Sequence, residues 1–305
     1  MRRFDIGASF WVALLLSAVP AVAGMNGGVV GPNSDFADAN LVMPFDARAP
    51  RTSFFATSNV GAGAIDAKWR FFDGSGELIT EVTRTILGEG GTDIVDATRV
   101  ADRSVTGSGD FTEGPSQSLA GRRGFVVVIG NGEARLIGNF TIASTASNAA
   151  FGASAAGFGI IGALAPGASL AGTSFSPSSL EDNQLILIGL NPASPGVTSL
   201  TNGEAPAAGS EVMRVTVELH GNAGDGLVAS GTFPVQGSVL FTSLQELFPG
   251  TTLSSSVSII AYVDEGSGYA GSRFDPDGDT VLPMIGFYGQ ALGPFGTGQN
   301  LRTLP

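Results

Sequence analysis

Cysteine is absent from this 305-residue chain, and histidine occurs once. The first absence excludes a disulfide framework, thiol chemistry and any cysteine-based zinc site. The second excludes a metal centre built from several histidines of one chain. Charge is scarce as well: Asp, Glu, Lys and Arg make up 14% of the residues, well under the usual quarter. What charge there is leans acidic, 27 Asp plus Glu against 15 Lys plus Arg, for a net −12. A chain of that sign is a poor match for nucleic acid or anionic lipid, so no nucleic-acid partner is expected. The 2 Trp and 3 Tyr are too few for the aromatic girdles of an outer-membrane barrel, and too few for a broad sugar-stacking platform.

Glycine is the residue in excess: 45 of them, about twice the usual share. Glycine and the 16 prolines together stay below the range of low-complexity disorder, and an apolar fraction of 43% suffices for a folded core.

The N-terminus reads as an export signal. Arg2 and Arg3 precede an apolar run from Phe10 to Val19, Pro20 ends it, and Ala21-Val22-Ala23 places small residues where a signal peptidase reads them. Cleavage after Ala23 is expected. The run is short for a bilayer span of about 20 residues, and no Cys follows it to carry a lipid. The protein is therefore expected to be exported through the secretory pathway to the periplasm, cell surface or medium. No membrane span is expected in the mature chain.

Residues 24–39 are rich in Gly, Asn, Asp and Ser and read as a flexible leader. Short strand-like runs follow. In Ile65–Phe71 the residues Ile65, Ala67, Trp69 and Phe71 share one face, with Asp66, Lys68 and Arg70 on the other, as in a half-buried strand. Asp73-Gly74-Ser75-Gly76 then turns the chain into a return strand, Glu77–Leu87. Phe125–Ile129 and Ala134–Ile142 flank Asn131-Gly132, the strongest short hairpin signal, because both residues accept positive φ. With Leu41–Phe45, Thr52–Ser58 and Thr92–Val100, residues 40–145 hold about seven strands, the number expected of a sandwich.

Further on, Gln184–Leu190 is continuously apolar, as in a strand covered on both faces. Met213–His220 and Val257–Asp264 alternate. Ser243-Leu244-Gln245-Glu246 fits a capping box and predicts one short helical turn, stopped at Pro249-Gly250. From Leu136 to Leu180 no residue is charged. The Ala/Gly-rich middle, Ala149–Leu164, is expected to be a buried connector or short helix. Its glycines each cost an exposed helix ~1 kcal/mol, and no basic residues flank it as they would a membrane span. The chain thus divides into a signal peptide (1–23), a leader (24–39), a β-sandwich domain (40–146), a connector (147–180) and a second β-rich domain or continuation of the sandwich (181–305).

Leu41-Val42-Met43-Pro44-Phe45, Ser53–Asn59 and Trp69–Gly74, in that order, resemble the opening of Ig-like or fibronectin-like modules of exported bacterial proteins. The resemblance covers residues 40–142. It implies an antiparallel β-sandwich with Trp69 as a core aromatic in an exported setting, and it carries over no functional residue. Without a Cys pair, the chain is not a disulfide-bearing antibody-type domain.

Motifs for chemistry are few. His220, the single candidate base, falls at a strand end before Gly221-Asn222 and reads as a turn-edge residue. No G-x-S-x-G elbow exists, since Gly152-Ala153-Ser154-Ala155-Ala156 lacks the last Gly. Gly88–Thr92 lacks the Lys of a phosphate loop and reads as a strand connection. Asn139-Phe140-Thr141 is a sequon inside a predicted strand. Asp275, Asp277 and Asp279 stand at alternate positions around Pro276 and Gly278. The run reads as a Pro-Asp-Gly turn, or as a Ca²⁺ loop with Thr280 where Gly is wanted and Gly286 where a bidentate Glu should be. Ca²⁺ is the one cofactor in view.

The fold class expected is all-β, an antiparallel Ig-like β-sandwich in one large or two packed domains. The function expected is non-catalytic: a structural, adhesive or binding role at the cell surface or in the medium, with other surface proteins or polysaccharide as partners. The alternative is a secreted carboxylate-dependent hydrolase such as a glycoside hydrolase.

Overall fold

The computed structural model describes residues 40–74, 76–130, 134–146, 149–157, 170–173, 183–189, 211–221, 226–236, 239–251, 257–263, 284–292 and 295–303. The expected signal peptide and leader lie outside them.

The first half contains β1 (Asn40–Asp46), β2 (Arg51–Asn59), β3 (Ile65–Asp73), β4 (Leu78–Ile86), β5 (Gly91–Asp96), the short β6 (Arg103–Val105) and β7 (Phe111–Glu113), β8 (Arg123–Ile129), β9 (Leu136–Ser144), β10 (Ala149–Ser154) and β11 (Ala156–Gly157). The second half contains β12 (Leu170–Thr173), β13 (Asn183–Gly189), β14 (Glu211–Gly221), β15 (Leu227–Gln236), β16 (Val239–Thr242), a one-turn helix α1 (Leu244–Leu247), β17 (Val257–Val263), β18 (Met284–Leu292), β19 (Phe295–Asn300) and β20 (Arg302–Thr303).

The strands form four sheets: β11-β1-β8-β3-β4-β6-β7, β10-β9-β2-β5, β16-β13-β18-β19 and β15-β14-β17-β12-β20. Pairing is antiparallel except for one parallel contact, Arg84 of β4 opposite Arg103 of β6. The protein is an all-β sandwich, as its alternating runs predict.

The first two sheets face one another across an aromatic core. Trp69 and Phe71 of β3 meet Phe55 of β2 edge-on at 6.3 and 5.9 Å, and Phe45 of β1 meets Phe71 at 6.2 Å. Along β3 the residues Ile65, Ala67, Trp69 and Phe71 are buried while Asp66 and Lys68 are exposed. One corner is closed by a strand that changes sheets. β10 pairs with β9, the Ala155 N–H donates to Gly138 O at 2.8 Å, and β11 continues onto β1. This is the Ala/Gly-rich stretch expected as a connector or short helix. Small side chains suit the bend: a Cβ on Gly152 would run into the Phe140 carbonyl oxygen.

The Asn131-Gly132 signal misleads. Residues 131–133 lie outside the described ones, but β8 and β9 on either side do not pair. β8 is flanked by β1 and β3, and β9 by β2 and β10. Both edges of β8 are occupied and Gly124–Val128 is buried on both faces, so the returning chain pairs in the opposite sheet.

The third sheet is apolar on both sides. Ile186 and Ile188 of β13, Ile285 and Phe287 of β18 and Phe241 of β16 join the aromatic core of the first half. Phe287 meets Phe140 edge-on at 5.1 Å. Leu185, Leu187 and Tyr288 point the other way, into a second core with Val215, Val217, Leu219, Ile259 and α1. The continuous apolar run of β13 is thereby explained: a strand between two cores has no polar face. The helical turn carries its capping box, with the Glu246 N–H donating to Ser243 Oγ at 3.1 Å and the Ser243 N–H donating to Glu246 Oε2 at 2.8 Å.

Trp69 is fully buried at the centre of the first core. Trp69→Ala is expected to destabilise the protein by ~3–5 kcal/mol. Urea unfolding checks it; a loss below about 1 kcal/mol would remove Trp69 from the core.

Candidate functional site

Beyond the corner, on the open side of the first sandwich, charge does the closing. In β4 the residues Thr80, Val82, Arg84 and Ile86 share the buried face, and in β5 Asp93 and Val95 do, so a guanidinium and a carboxylate point inward. Arg84 Nε donates to Asp93 Oδ2 at 2.5 Å and Nη2 to Oδ1 at 2.9 Å, while Nη1 donates to the Ala101 carbonyl at 2.6 Å. Arg103 Nη1 also donates to Asp93 Oδ1, and its guanidinium lies 3.5 Å from the Phe111 ring centroid. The connection from β4 to β5 is the Gly88–Gly91 turn, as read. Glu89 has φ 57° and Gly90 φ 88°, and a Cβ at Gly90 would be strained.

Outside this ion pair is an open hollow of about 360 Å³, lined by Asp66, Thr83, Thr85, Asp102, Thr112 and Glu113 among others. Asp102 Oδ1 accepts the Thr83 N–H at 2.7 Å, and Asp66 Oδ1 accepts the Thr85 hydroxyl at 2.6 Å. Two of its carboxylates therefore serve the sheet, the first by satisfying a strand N–H. Glu113 is 58% exposed. The hollow offers hydroxyls and carboxylates, a surface that suits hydroxyl-bearing ligands.

A second polar cluster lies where the two halves meet. Asp46, at the end of β1, is buried. It accepts from Arg48 Nε at 2.9 Å and Nη2 at 2.8 Å, from the Arg48 N–H at 3.1 Å and from Arg51 Nη1 at 3.0 Å. Burial alone would raise this carboxyl. The hydrogen bonds from Arg48, side chain and backbone, and from Arg51 outweigh it and hold Asp46 below its ordinary value of 3.8. Glu246 is likewise lowered, chiefly by the Ser243 backbone N–H.

His220 is next to the last residue of β14, at the strand end as its sequence position predicts. It is half-buried, its Nε2 2.8 Å from Glu218 Oε2, and Glu218 Oε1 accepts the Tyr262 hydroxyl at 3.2 Å. Period-two alternation puts residues 218 and 220 on one face, and β17 pairs Thr216 with Tyr262, bringing the phenol alongside. Asn139 of the sequon lies on β9, as expected. Asp275, Asp277 and Asp279 lie outside the described residues. Among the described residues no three His, Asp or Glu side chains group to hold a metal. No helix of the described residues is long and apolar enough to cross a membrane.

Sequence reading overlooked the Arg84–Asp93 pair, although both residues stand in phase with buried apolar neighbours. The Asp46 cluster had no such signal, since a turn and a distant strand assemble it. Compared with known proteins, the chain matches no family model and no curated protein.

Asp93→Ala leaves two guanidiniums with only the exposed Glu113, 3.7 Å from Arg84 Nη2, as counter-charge, and is expected to cost ~3–5 kcal/mol in urea unfolding. The double replacement Arg84→Met, Asp93→Leu is expected to recover most of that loss.

Asp46 makes stability pH-dependent with a definite sign. Its folded value is depressed, so its contribution is whole above the unfolded value and fades as pH falls through the lower folded one. The stability gap between wild type and Asp46→Asn is expected to be widest near neutrality and to close in acid below about pH 4. Unfolding curves over that range measure it; a gap independent of pH would contradict the assignment.

Proposed function

We propose that the protein is an exported, non-catalytic β-sandwich module, processed after Ala23, that binds or assembles at the cell surface or in the medium. Its N-terminal part resembles Ig-like modules in the sequence features given above. The observation that carries this reading is the edge of the fourth sheet. β15 pairs with β14 alone among the described strands. Its ten residues, Leu-Val-Ala-Ser-Gly-Thr-Phe-Pro-Val-Gln, include no charge, and Leu227 and Val228 are 55% and 41% exposed. Edges of soluble sheets are ordinarily blunted by charge or covered, because their unpaired backbone groups invite another strand. Pro234, which has no N–H, interrupts this edge near its end, and the uncharged stretch Leu227–Phe233 before it suits strand addition by an extended segment of a surface protein, whose backbone supplies affinity whatever its side chains.

The carboxylate hydrolase reading has one observation in its favour, the hollow with Asp66, Asp102 and Glu113. Two of those carboxylates are already tied to β4, which favours binding over proton transfer there.

Cell fractionation with mass spectrometry tests the proposal. The exported protein is expected to begin at Gly24 and to co-purify with a surface partner, while Ser230→Lys, at an exposed position of β15 opposite Glu218, releases that partner and leaves the melting temperature unchanged. An intact Met1 in the exported pool overturns the export reading, and a partner equally retained by Ser230→Lys overturns the edge. Polysaccharide hydrolysis by the purified protein, lost in Glu113→Gln, would establish the alternative.

A further inference from the structure

Asp46 and Arg123 stand directly opposite one another in the β1–β8 ladder, yet their side chains do not pair. The Asp46 carboxylate is taken up by Arg48 and Arg51. The Glu246 carboxylate, the other acid in the neighbourhood, caps α1 through the Ser243 N–H and accepts the Thr242 hydroxyl at 3.1 Å. Arg123 is left half-buried, its guanidinium 5.3 Å from the centroid of the Phe241 ring and with no carboxylate partner among the described residues. Three guanidiniums thus converge on two carboxylates, in a chain of net −12 where acids outnumber bases almost two to one.

From this geometry we infer that Arg123, with Arg48 beside it, is a binding site for one oxyanion, a carboxylate or phosphate group. The unmatched cation is held in place by the structure. Its side chain starts from a strand buried on both sides of the core, and the ring of Phe241 from the third sheet lies against it. A guanidinium pre-oriented by an aromatic ring presents its planar N–H fork to an oxyanion with little further ordering. Burial first, and then the positive charges of Arg48 and Arg51, disfavour the charged form of Arg123; the negative charges of Asp46 and Glu246 offset this only in part, and its proton affinity is lowered. An anion reverses both effects: it replaces lost hydration with charge-assisted hydrogen bonds and screens the cations from one another. Arg48 is itself 42% exposed on its side chain, so a ligand reaches the cluster from solvent. The net negative charge of the whole chain opposes approach from a distance, so inert salt, which screens that repulsion, is expected to weaken binding less than it weakens a surface contact of a neutral protein. The site is independent of the β15 edge and does not rest on it.

The test is thermal unfolding and calorimetric titration of the full chain with inorganic phosphate and with sodium glucuronate, each against sodium chloride at equal ionic strength. At least one oxyanion is expected to raise the melting temperature beyond chloride, because a ligand that binds only the folded state stabilises it. Glucuronate the tighter of the two assigns the site to a carboxylate-bearing saccharide, and phosphate the tighter assigns it to a phosphate group. Arg123→Gln is expected to weaken binding at least tenfold, Arg123→Lys to weaken it less, and Arg99→Gln, on the exposed stretch after β5, to leave it unchanged. No rise beyond chloride with either anion overturns the proposal. So does a rise of equal size in Arg123→Gln. Should Arg123→Gln not fold, Arg48→Gln takes its place, and undiminished binding there overturns the shared site.

Discussion

The architecture depends on one sheet being buried on both sides. β13 and β18 send Ile186, Ile188, Ile285 and Phe287 into the core of the N-terminal sandwich, and Leu185, Leu187 and Tyr288 into the core beneath the fourth sheet. A sheet with no polar face cannot be solvated on either side, so removing either neighbour would expose apolar surface at roughly 25 cal/mol per Å². The halves of the chain are therefore bound by the hydrophobic effect rather than by a linker. That accounts for how an exported protein, as we propose it to be, folds without a disulfide. It also places Phe241 against Arg123, since the same layer that fills the first core carries the ring to the seam.

Within the N-terminal sandwich two unlike devices close the two sides. The corner from β10 to β11 uses small residues and a backbone that changes partner, with the Ala155 N–H bonded to Gly138 O. The opposite side uses the buried Arg84–Asp93 pair, supported by Arg103 and the Ala101 carbonyl. Such a pair adds little net stability over a well-packed apolar replacement, but breaking it is expensive. Its contribution is to register: β5 can be placed against β4 in one way only if both guanidinium and carboxylate are to be satisfied. Ile94 faces outward at 49% exposure as the consequence, because the alternation that turns Asp93 inward turns Ile94 out.

The polar features distribute between the two halves. The hollow at β4, β6 and β7 holds carboxylates already engaged with the sheet, the Glu218–His220–Tyr262 chain lies on an outer sheet face, and the arginines at the seam outnumber their acids. Together with an uncharged β15 edge, they are the features on which we base our proposal of a protein that works by contact.

By itself the sequence determined the strands and their faces. Period-two alternation in Ile65–Phe71 places Trp69 inside, the continuous run at Gln184–Leu190 requires cover on both sides, and Ser243 with Glu246 caps a helical turn; these are local patterns, set by backbone geometry and side-chain polarity within a few residues. Tertiary structure alone decided which strands pair. Asn131-Gly132 signals a reversal but cannot say that both edges of β8 are already taken. Ala149–Leu164 reads as a buried connector or short helix, yet its described part, Ala149–Gly157, pairs with β9 and then with β1 as two strands. Arg84 and Asp93 stand on the apolar phase of their strands and were legible as inward charges, but their union was not. Asp46, Arg48, Arg51 and Arg123 come together only because the β1–β2 turn meets the start of β8. Charge interactions act through space between residues far apart in the chain, and a linear pattern carries no record of that distance.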